Sequence, residues 1–494
     1  MKRFILSISL LLTLALPAGA KEVKIHGYVT NIVSATTFEI EDYRITRDLS
    51  LVLELDKGDN NESIQFHPED IRVGTELEIK GEYNEKTEEL RAKSIKVFLD
   101  ESKRVKRIAL IERPPDLRHT PEGWEGTFFA DGQSIRVDSS TRMLFKPNKS
   151  ESKERKNRVK EEKHKKTPPQ ASPPKESESG DDFQPLESPD QIEANTFMTY
   201  EGRRQPDGSI SASRMEFVRG EIEKGEANLW RQLEPSVKGT SLLAGKPGEL
   251  RIRKVGKFKL LPNADVQGYV ERIGESLVPA FQRNMDPNDP NKIHFRFYVV
   301  EAKQPNAFAL ANGVVVLHAS MFDVFENEAQ LAAVLGHEIT HTIEKHSWHE
   351  LQYHKKKLTA LKIGGAVAAG FGAYGIQDIT NMVEGAVRNG YSRALENQAD
   401  REGLANMVAA GYDPREAPNV WKAMTRHFGD RPTNFFWSDH DSNTTRRSYL
   451  MAELRNNYAG VDFSHLKKDS DDFAKMAAAA RQGATAKKKV KVKY

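Results

Sequence analysis

The sequence predicts a multidomain fold: two all-β modules of OB-like type, followed by an α+β, mainly helical domain. Three observations carry it. The chain has 494 residues, and at about 150 residues per domain that sets an expectation of roughly three domains. Short alternating strand patterns fill the N-terminal region, and helical periodicity replaces them after residue 235. Part of the first β region is echoed in the second.

Composition removes several classes before any motif is considered. With 74 Lys+Arg against 71 Asp+Glu the net charge is +3, so no overall field attracts nucleic acid. A hydrophobic share of 38% and a mean hydropathy of -0.63 exclude a polytopic membrane protein. There is no cysteine, which rules out a disulfide framework, a thiolate zinc site, a cysteine nucleophile and a lipidated N-terminal cysteine. Any metal must therefore sit on histidines and carboxylates.

Residues 1-20 read as a signal peptide. Lys2 and Arg3 precede a 13-residue apolar stretch from Phe4 to Leu16, which ends in the small residues Ala18-Gly19-Ala20. This stretch falls short of the roughly 20 residues that span a bilayer. The mature chain is expected to begin near Lys21.

Residues 21-105 form the first β module, with strand patterns such as Phe38-Glu39-Ile40 and Glu76-Leu77-Glu78-Ile79. Residues 120-220 form the second. Gly74 to Gly81, leading to Leu90 to Phe98, is echoed by Asn195 to Gly202, leading to Ile210 to Phe217. Both copies lack interleaved basic and aromatic residues, so a scaffold or protein-binding role is expected and no nucleic acid. Within the second copy, residues 147-182 are Lys-, Glu-, Ser- and Pro-rich, with only Val159 and Ala171 apolar. Such a segment buries too little surface to offset its ordering entropy; it reads as a disordered charged insertion.

The domain at 235-465 carries the chemistry. A helix is expected near Asp265 to Gln282, a strand near His294 to Val300, and a helix from Glu328 to Lys345 with Leu331, Leu335 and Ile339 on one buried face. That last helix contains His337-Glu338-Ile339-Thr340-His341, the H-E-x-x-H pattern. Histidines four apart stand one turn from each other, so both imidazoles can converge on one Zn²⁺ while Glu338 reaches its water. Chance yields on the order of 0.03 such patterns in a chain of this composition. Glu344 and Ser347 occupy the positions where a third histidine motif would need Gly and His, so the third ligand must come from elsewhere. Glu396, with Asp400 one turn further on, offers a carboxylate ligand and an acceptor for the second N-H of a ligating histidine.

These residues, with Asn306-Ala307-Phe308-Ala309-Leu310, Gly313, His346 and the Gly411-Tyr412-Asp413-Pro414 run, resemble the HtpX-like and CAAX prenyl protease-type zinc metallopeptidases, gluzincins with HExxH followed by ExxxD. The resemblance covers roughly residues 235-460. It implies one zinc per chain on His337, His341 and Glu396, with Glu338 as catalytic base, Asp400 behind the ligands, and a protein or peptide substrate. It also implies that the Val-rich strand from Ala311 to Leu317 is an edge that pairs with extended substrate, with Asn306, Ala311, Asn312 and Gly313 shaping it. His440 and Arg446 resemble a family His-Pro element followed by Arg, with Asp441 in place of Pro; both are candidates for facing the zinc or the transition state. His346, His349 and His354 read as packing or capping residues rather than ligands.

Leu358 to Ile376 is Gly- and Ala-rich, and Ile363 to Ile376 is too short to span a membrane. It reads as a lid or interfacial hairpin. Residues 466-494 are expected to form a C-terminal helix and a basic tail, which offers peripheral contact with membrane or envelope polymer. The whole reads as an exported, periplasmic zinc endopeptidase acting on misfolded or envelope proteins. The alternatives are a latent zinc-bound chaperone or assembly factor of the envelope, and a wall-polysaccharide binder led by the β modules.

Overall fold

The computed structural model describes residues 20-56, 66-98, 104-148, 151, 183-205, 207-239, 248-253, 255-352, 391-428 and 443-485. Residues 1-19 of the signal peptide, most of the charged insertion, the Gly/Ala-rich segment, His354, His440 and the basic tail named above lie outside them.

The first sheet contains β1 (Ala20–Tyr28), β2 (Asn31–Ser34), β3 (Thr37–Ile40), β4 (Tyr43–Thr46), β5 (Leu53–Asp56), β6 (Glu76–Asn84) and β7 (Glu89–Phe98). Its order is β1-β6-β7-β4-β3-β2, with β5 also parallel to β7. The second contains β8 (Arg104–Ile111), β9 (Asp116–Thr120), β10 (Gly123–Ala130), β11 (Gln133–Val137), β12 (Arg142–Lys146), β13 (Gln184–Pro185), β14 (Thr196–Arg204) and β15 (Ile210–Arg219). Here β8 pairs β14, β14 pairs β15, and β15 runs parallel to both β11 and β12. The two sheets thus share one pairing scheme, and the echoed sequence segments are β6-β7 and β14-β15. Each hairpin shifts register at a glycine, Gly81 or Gly202. A Cβ there would lie 2.1 Å from the Arg91 carbonyl or 2.5 Å from that of Ser211, so only glycine admits the bulge.

The third sheet, β16 (Pro235–Lys238), β17 (Glu249–Ile252), β18 (Gly256–Leu260), β19 (Arg296–Glu301), β20 (Ala307–Ala309) and β21 (Val314–His318), has the order β16-β17-β18-β19-β21-β20. This corrects the expected substrate edge. The Val-rich strand β21 lies inside the sheet, parallel to β19 and antiparallel to β20, and β20 is the edge. Ala311 to Gly313 form the turn between them: Gly313 N–H bonds to the Leu310 carbonyl, at φ +82°. A run of four apolar residues marks a strand buried on both faces, and that is what an interior strand requires.

Helices α1 (Lys224–Gln232), α2 (Ala264–Leu277), α3 (Ala280–Asn284), α4 (Glu328–Ile343), α5 (Arg393–Ala409), α6 (Ala417–Phe428), α7 (Asn443–Asn457) and α8 (Phe473–Thr485) complete the chain. Val299, Val315 and Leu317 of the sheet share one core with Val270 and Ile273 of α2 and Leu331, Leu335 and Ile339 of α4. Asn327 caps α4 by accepting from Gln330 N–H at 3.0 Å. Every residue from Glu328 to Ile343 is buried, not the one face its periodicity predicts. The sheet, α2, α5 and α6 surround it, so its polar residues are satisfied by protein rather than water.

Candidate metal centre

Two glycines set the approach of α4 and α5. A Cβ on Gly336 would meet the Gly403 carbonyl at 3.3 Å, and one on Gly403 would meet His337 N at 3.2 Å. The helices touch backbone to backbone, which brings the histidines of one against the carboxylates of the other.

At this contact one ligand atom each of His337, His341 and Glu396 lies within 4.8 Å of the others. The two Nε2 atoms are 3.0 Å apart, His337 Nε2 is 3.3 Å from Glu396 Oε2, and His341 Nε2 is 3.6 Å from Glu396 Oε1. Zinc-ligand bonds of 2.0–2.1 Å in a tetrahedron put donor atoms about 3.3 Å apart, so this donor set fits zinc. It is the one such cluster among the described residues. Glu338 is buried beside it.

The ligands are held from behind. His337 donates from Nδ1 to Asp400 Oδ1 at 3.0 Å, which leaves Nε2 for the metal. Burial pushes the Asp400 carboxyl up, but Arg446 and His337 draw it below the usual range. Arg446 reaches Asp400 Oδ2 from Nε at 3.1 Å, and its Nη1 lies 3.5 Å from Glu396 Oε2. Its guanidinium covers Trp421 at 3.9 Å from the ring centroid. Arg446 is therefore placed against Asp400, with its Nη2 also 3.5 Å from His337 Nε2.

Three neighbours outside the sequence-predicted ligands and their partners complete the centre. His346 is buried, and its Nδ1 lies 2.7 Å from His341 Nδ1; burial drives its pKa down to about 3. Its Nε2 is 3.2 Å from Gln398 Oε1. Tyr391 stacks on His341, ring centroids 4.2 Å apart, and its N–H donates to Glu396 Oε1 at 3.3 Å. The spacing of His346 predicts a packing residue, whereas the structure sets it against His341; Gln398 and Tyr391 carry no periodic signal.

Helix α5 interleaves the centre with the β modules. Arg393 pairs with Glu76 of β6 at 2.5 Å, and Asn397 donates to the Tyr28 hydroxyl of β1 at 3.2 Å. Gln398 donates to the Ile108 carbonyl of β8 at 2.9 Å. Arg401 donates from Nε to the Asp131 carbonyl at 3.0 Å and is ion-paired with the Asp131 carboxylate. The β20 edge stands beside α4, tied by Thr342 Oγ1 donating to the Leu310 carbonyl at 3.1 Å. Asn306 opens that strand, its carbonyl accepting from His318 N–H. Residues 306, 308 and 310 pair with β21, so the peptide groups of Ala307 and Ala309 point away from it.

Two histidines one helical turn apart, a glutamate between them and a carboxylate from the facing helix define the zinc-metallopeptidase class of HExxH proteins. Residues 264–454 match Peptidase family M48. Residues 26–96 match Domain of unknown function (DUF5666). The beta-barrel assembly-enhancing protease of Yersinia pestis is 30% identical over 162 residues, 32% of each chain. That of Escherichia coli K12 is 27% identical over 197 residues, 38% of this chain and 39% of its own. The mitochondrial metalloendopeptidase OMA1 of Saccharomyces cerevisiae is 30% identical over 188 residues, 36% of this chain and 52% of its own. The match thus spans 32% to 52% of these relatives' length.

Proposed function

We infer that the chain is a zinc-dependent endopeptidase exported to the periplasm, cutting misfolded or envelope proteins. The observation that carries the activity is the convergence of His337, His341 and Glu396 beside Glu338 on buried, mutually packed helices. The leader pattern at residues 1-20, and relatives named as beta-barrel assembly-enhancing proteases, support the location and the substrate class. No described helix is long and apolar enough to cross a membrane.

His337, His341 and Glu396 would hold the metal. When bound, Zn²⁺ supplies Lewis acidity toward the scissile carbonyl and an acidified water. Glu338 takes the proton from the attacking water and returns it to the leaving amine, general acid-base work that its place beside the ligands serves. Asp400, fixed by Arg446, holds His337 in the tautomer that presents Nε2. The outward peptide groups of Ala307 and Ala309 pair with an extended substrate, with Asn306 at the head of the strand; Ala311, Asn312 and Gly313 serve by turning the chain into β21. His440 remains a proposed stabiliser of the developing oxyanion. The β modules are proposed as OB-like domains, at 21-105 and 120-220.

The test is metal content and casein cleavage by the full chain beside Glu338→Gln. One zinc per chain in both proteins, with cleavage by the unsubstituted chain alone, is the expected result. Zinc without cleavage in either moves the reading to a latent assembly factor, and absence of zinc overturns the site.

A further inference from the structure

The outer partners of the two histidine ligands differ in kind. His337 Nδ1 faces a carboxylate, which can only accept, so its tautomer is settled by charge. His341 Nδ1 faces another imidazole, His346 Nδ1, at 2.7 Å. A pair of imidazoles does not settle its own direction, because either nitrogen can carry the proton. If His346 donated, His341 would carry its proton on Nε2 and could not bind metal.

The direction is set from the second β module. Among the described residues strand β8 pairs only with β14, and its other edge meets the helices. Along that edge Leu110 N–H donates to the Glu344 carboxylate beyond the end of α4, at 3.1 Å to each oxygen. Two residues back, the Ile108 carbonyl accepts from Gln398 Nε2 at 2.9 Å. A backbone carbonyl cannot donate, so the amide nitrogen of Gln398 must face it and Oε1 must face His346. That oxygen accepts from His346 Nε2–H at 3.2 Å, which leaves Nδ1 of a neutral His346 as an acceptor. His341 Nδ1–H then donates, and Nε2 of His341 is bare toward His337 and Glu396.

We propose that Gln398 and His346 are positioning residues that carry the polarity of the Ile108 carbonyl in the second β module to His341, fixing it in the metal-binding tautomer. The proposal rests on the zinc reading of the site and gives the β module a part in it. The module is an outer wall of the metal centre, docked through a strand edge, and not a tethered accessory. Partners of ligating histidines typically govern metal affinity by 10–100-fold.

The experiment measures zinc affinity by chelator competition, and the absorption spectrum with Co²⁺ in place of zinc, in the full chain and in Gln398→Met and Gln398→Glu. Methionine keeps the volume and removes both hydrogen bonds; glutamate keeps the acceptor toward His346. The expected result is zinc binding weakened about 10–100-fold in Gln398→Met with an altered Co²⁺ spectrum, and affinity within about threefold of the unsubstituted chain in Gln398→Glu. Equal affinity in Gln398→Met, or equal loss in both variants, overturns the relay while leaving the metallopeptidase reading intact. Failure of the unsubstituted chain to bind zinc takes down both. If Gln398→Met does not fold by near-ultraviolet circular dichroism, His346→Phe removes the relay from its other end and the same affinity criterion decides.

Discussion

At the scale of single residues, the centre depends on acceptors whose direction leaves no choice. Asp400 works because a carboxylate cannot donate, and Arg446 keeps it ionised although it is buried. Asp400→Asn retains the shape but brings an amide that donates as well as accepts, and it removes one of the two carboxylates, Asp400 and Glu396, that face the buried Arg446 guanidinium. Zinc affinity is expected to fall about 10–100-fold, with helical content retained. Competition titration with a chromophoric chelator checks it, and unchanged affinity would show that Asp400 does not orient His337. The residue types of the site were legible: His337, Glu338, His341, Glu396 and Asp400 announce themselves by spacing, because one helical turn is a fixed distance. His346, Gln398 and Tyr391 did not, since what they do depends on neighbours far away in the chain.

Elements decide how closely the ligands approach. Helices carrying ordinary side chains at their contact keep axes 8–10 Å apart, whereas α4 and α5 meet through Gly336 and Gly403. Gly403→Val would push against His337 N, already 3.2 Å from where a Cβ would lie. It is expected to destabilise the domain by about 1–3 kcal/mol and to weaken zinc binding together with it. Denaturant unfolding of the zinc-free and zinc-loaded chain reads both effects, and a variant with native stability would refute the close-contact account. The same scale shows where periodicity misleads. Helix α4 carries a helical pattern for one apolar face, yet it is buried all round, because Thr340, Thr342 and Gln330 find protein partners. The Val-rich strand taken for an edge is interior, and the Ala-Phe-Ala strand beside it is the edge.

On the scale of the whole molecule, the β modules and the peptidase domain are joined by buried charge. Asp131 of the β10-β11 turn sits between Arg401 of α5 and Arg107 of β8. Removing one partner of such a group leaves an uncompensated buried charge, typically worth 3–5 kcal/mol. Around it gather three carboxylates, Glu112 beyond β8, Glu344 beyond α4 and Glu402 of α5, with Asp131, Arg113 and Arg401 facing them. Burial raises all three; Glu112 reaches about 7 from 4.5, and Glu344 stands well above its usual value. A carboxyl raised in the folded state holds its proton there while the unfolded chain has released it. Its contribution is complete below 4.5 and is lost as pH rises through the folded value, near 7 for Glu112. Stability is therefore expected to fall between about pH 5 and about pH 8, and Glu344→Gln, which needs no proton, to flatten that fall. Unfolding midpoints across the range test this; equal slopes in both proteins would remove the cluster as the cause.

The sequence by itself determined which histidines and carboxylate come together, and that β sheets precede the helical region, because those are written in local spacing: histidines one turn apart, strands alternating at a period of two, helices at 3.6. It also carried the duplication of the β modules, down to the glycines that admit the two bulges. Only the tertiary structure decided which strand is the sheet edge, that Arg446 packs against Asp400, and that Ile108 and Asp131 reach helix α5 from more than 200 positions earlier in the chain. Such contacts pair groups that carry no mutual spacing signal. They exist because polar groups that packing takes out of water at the seam between modules must find partners across it.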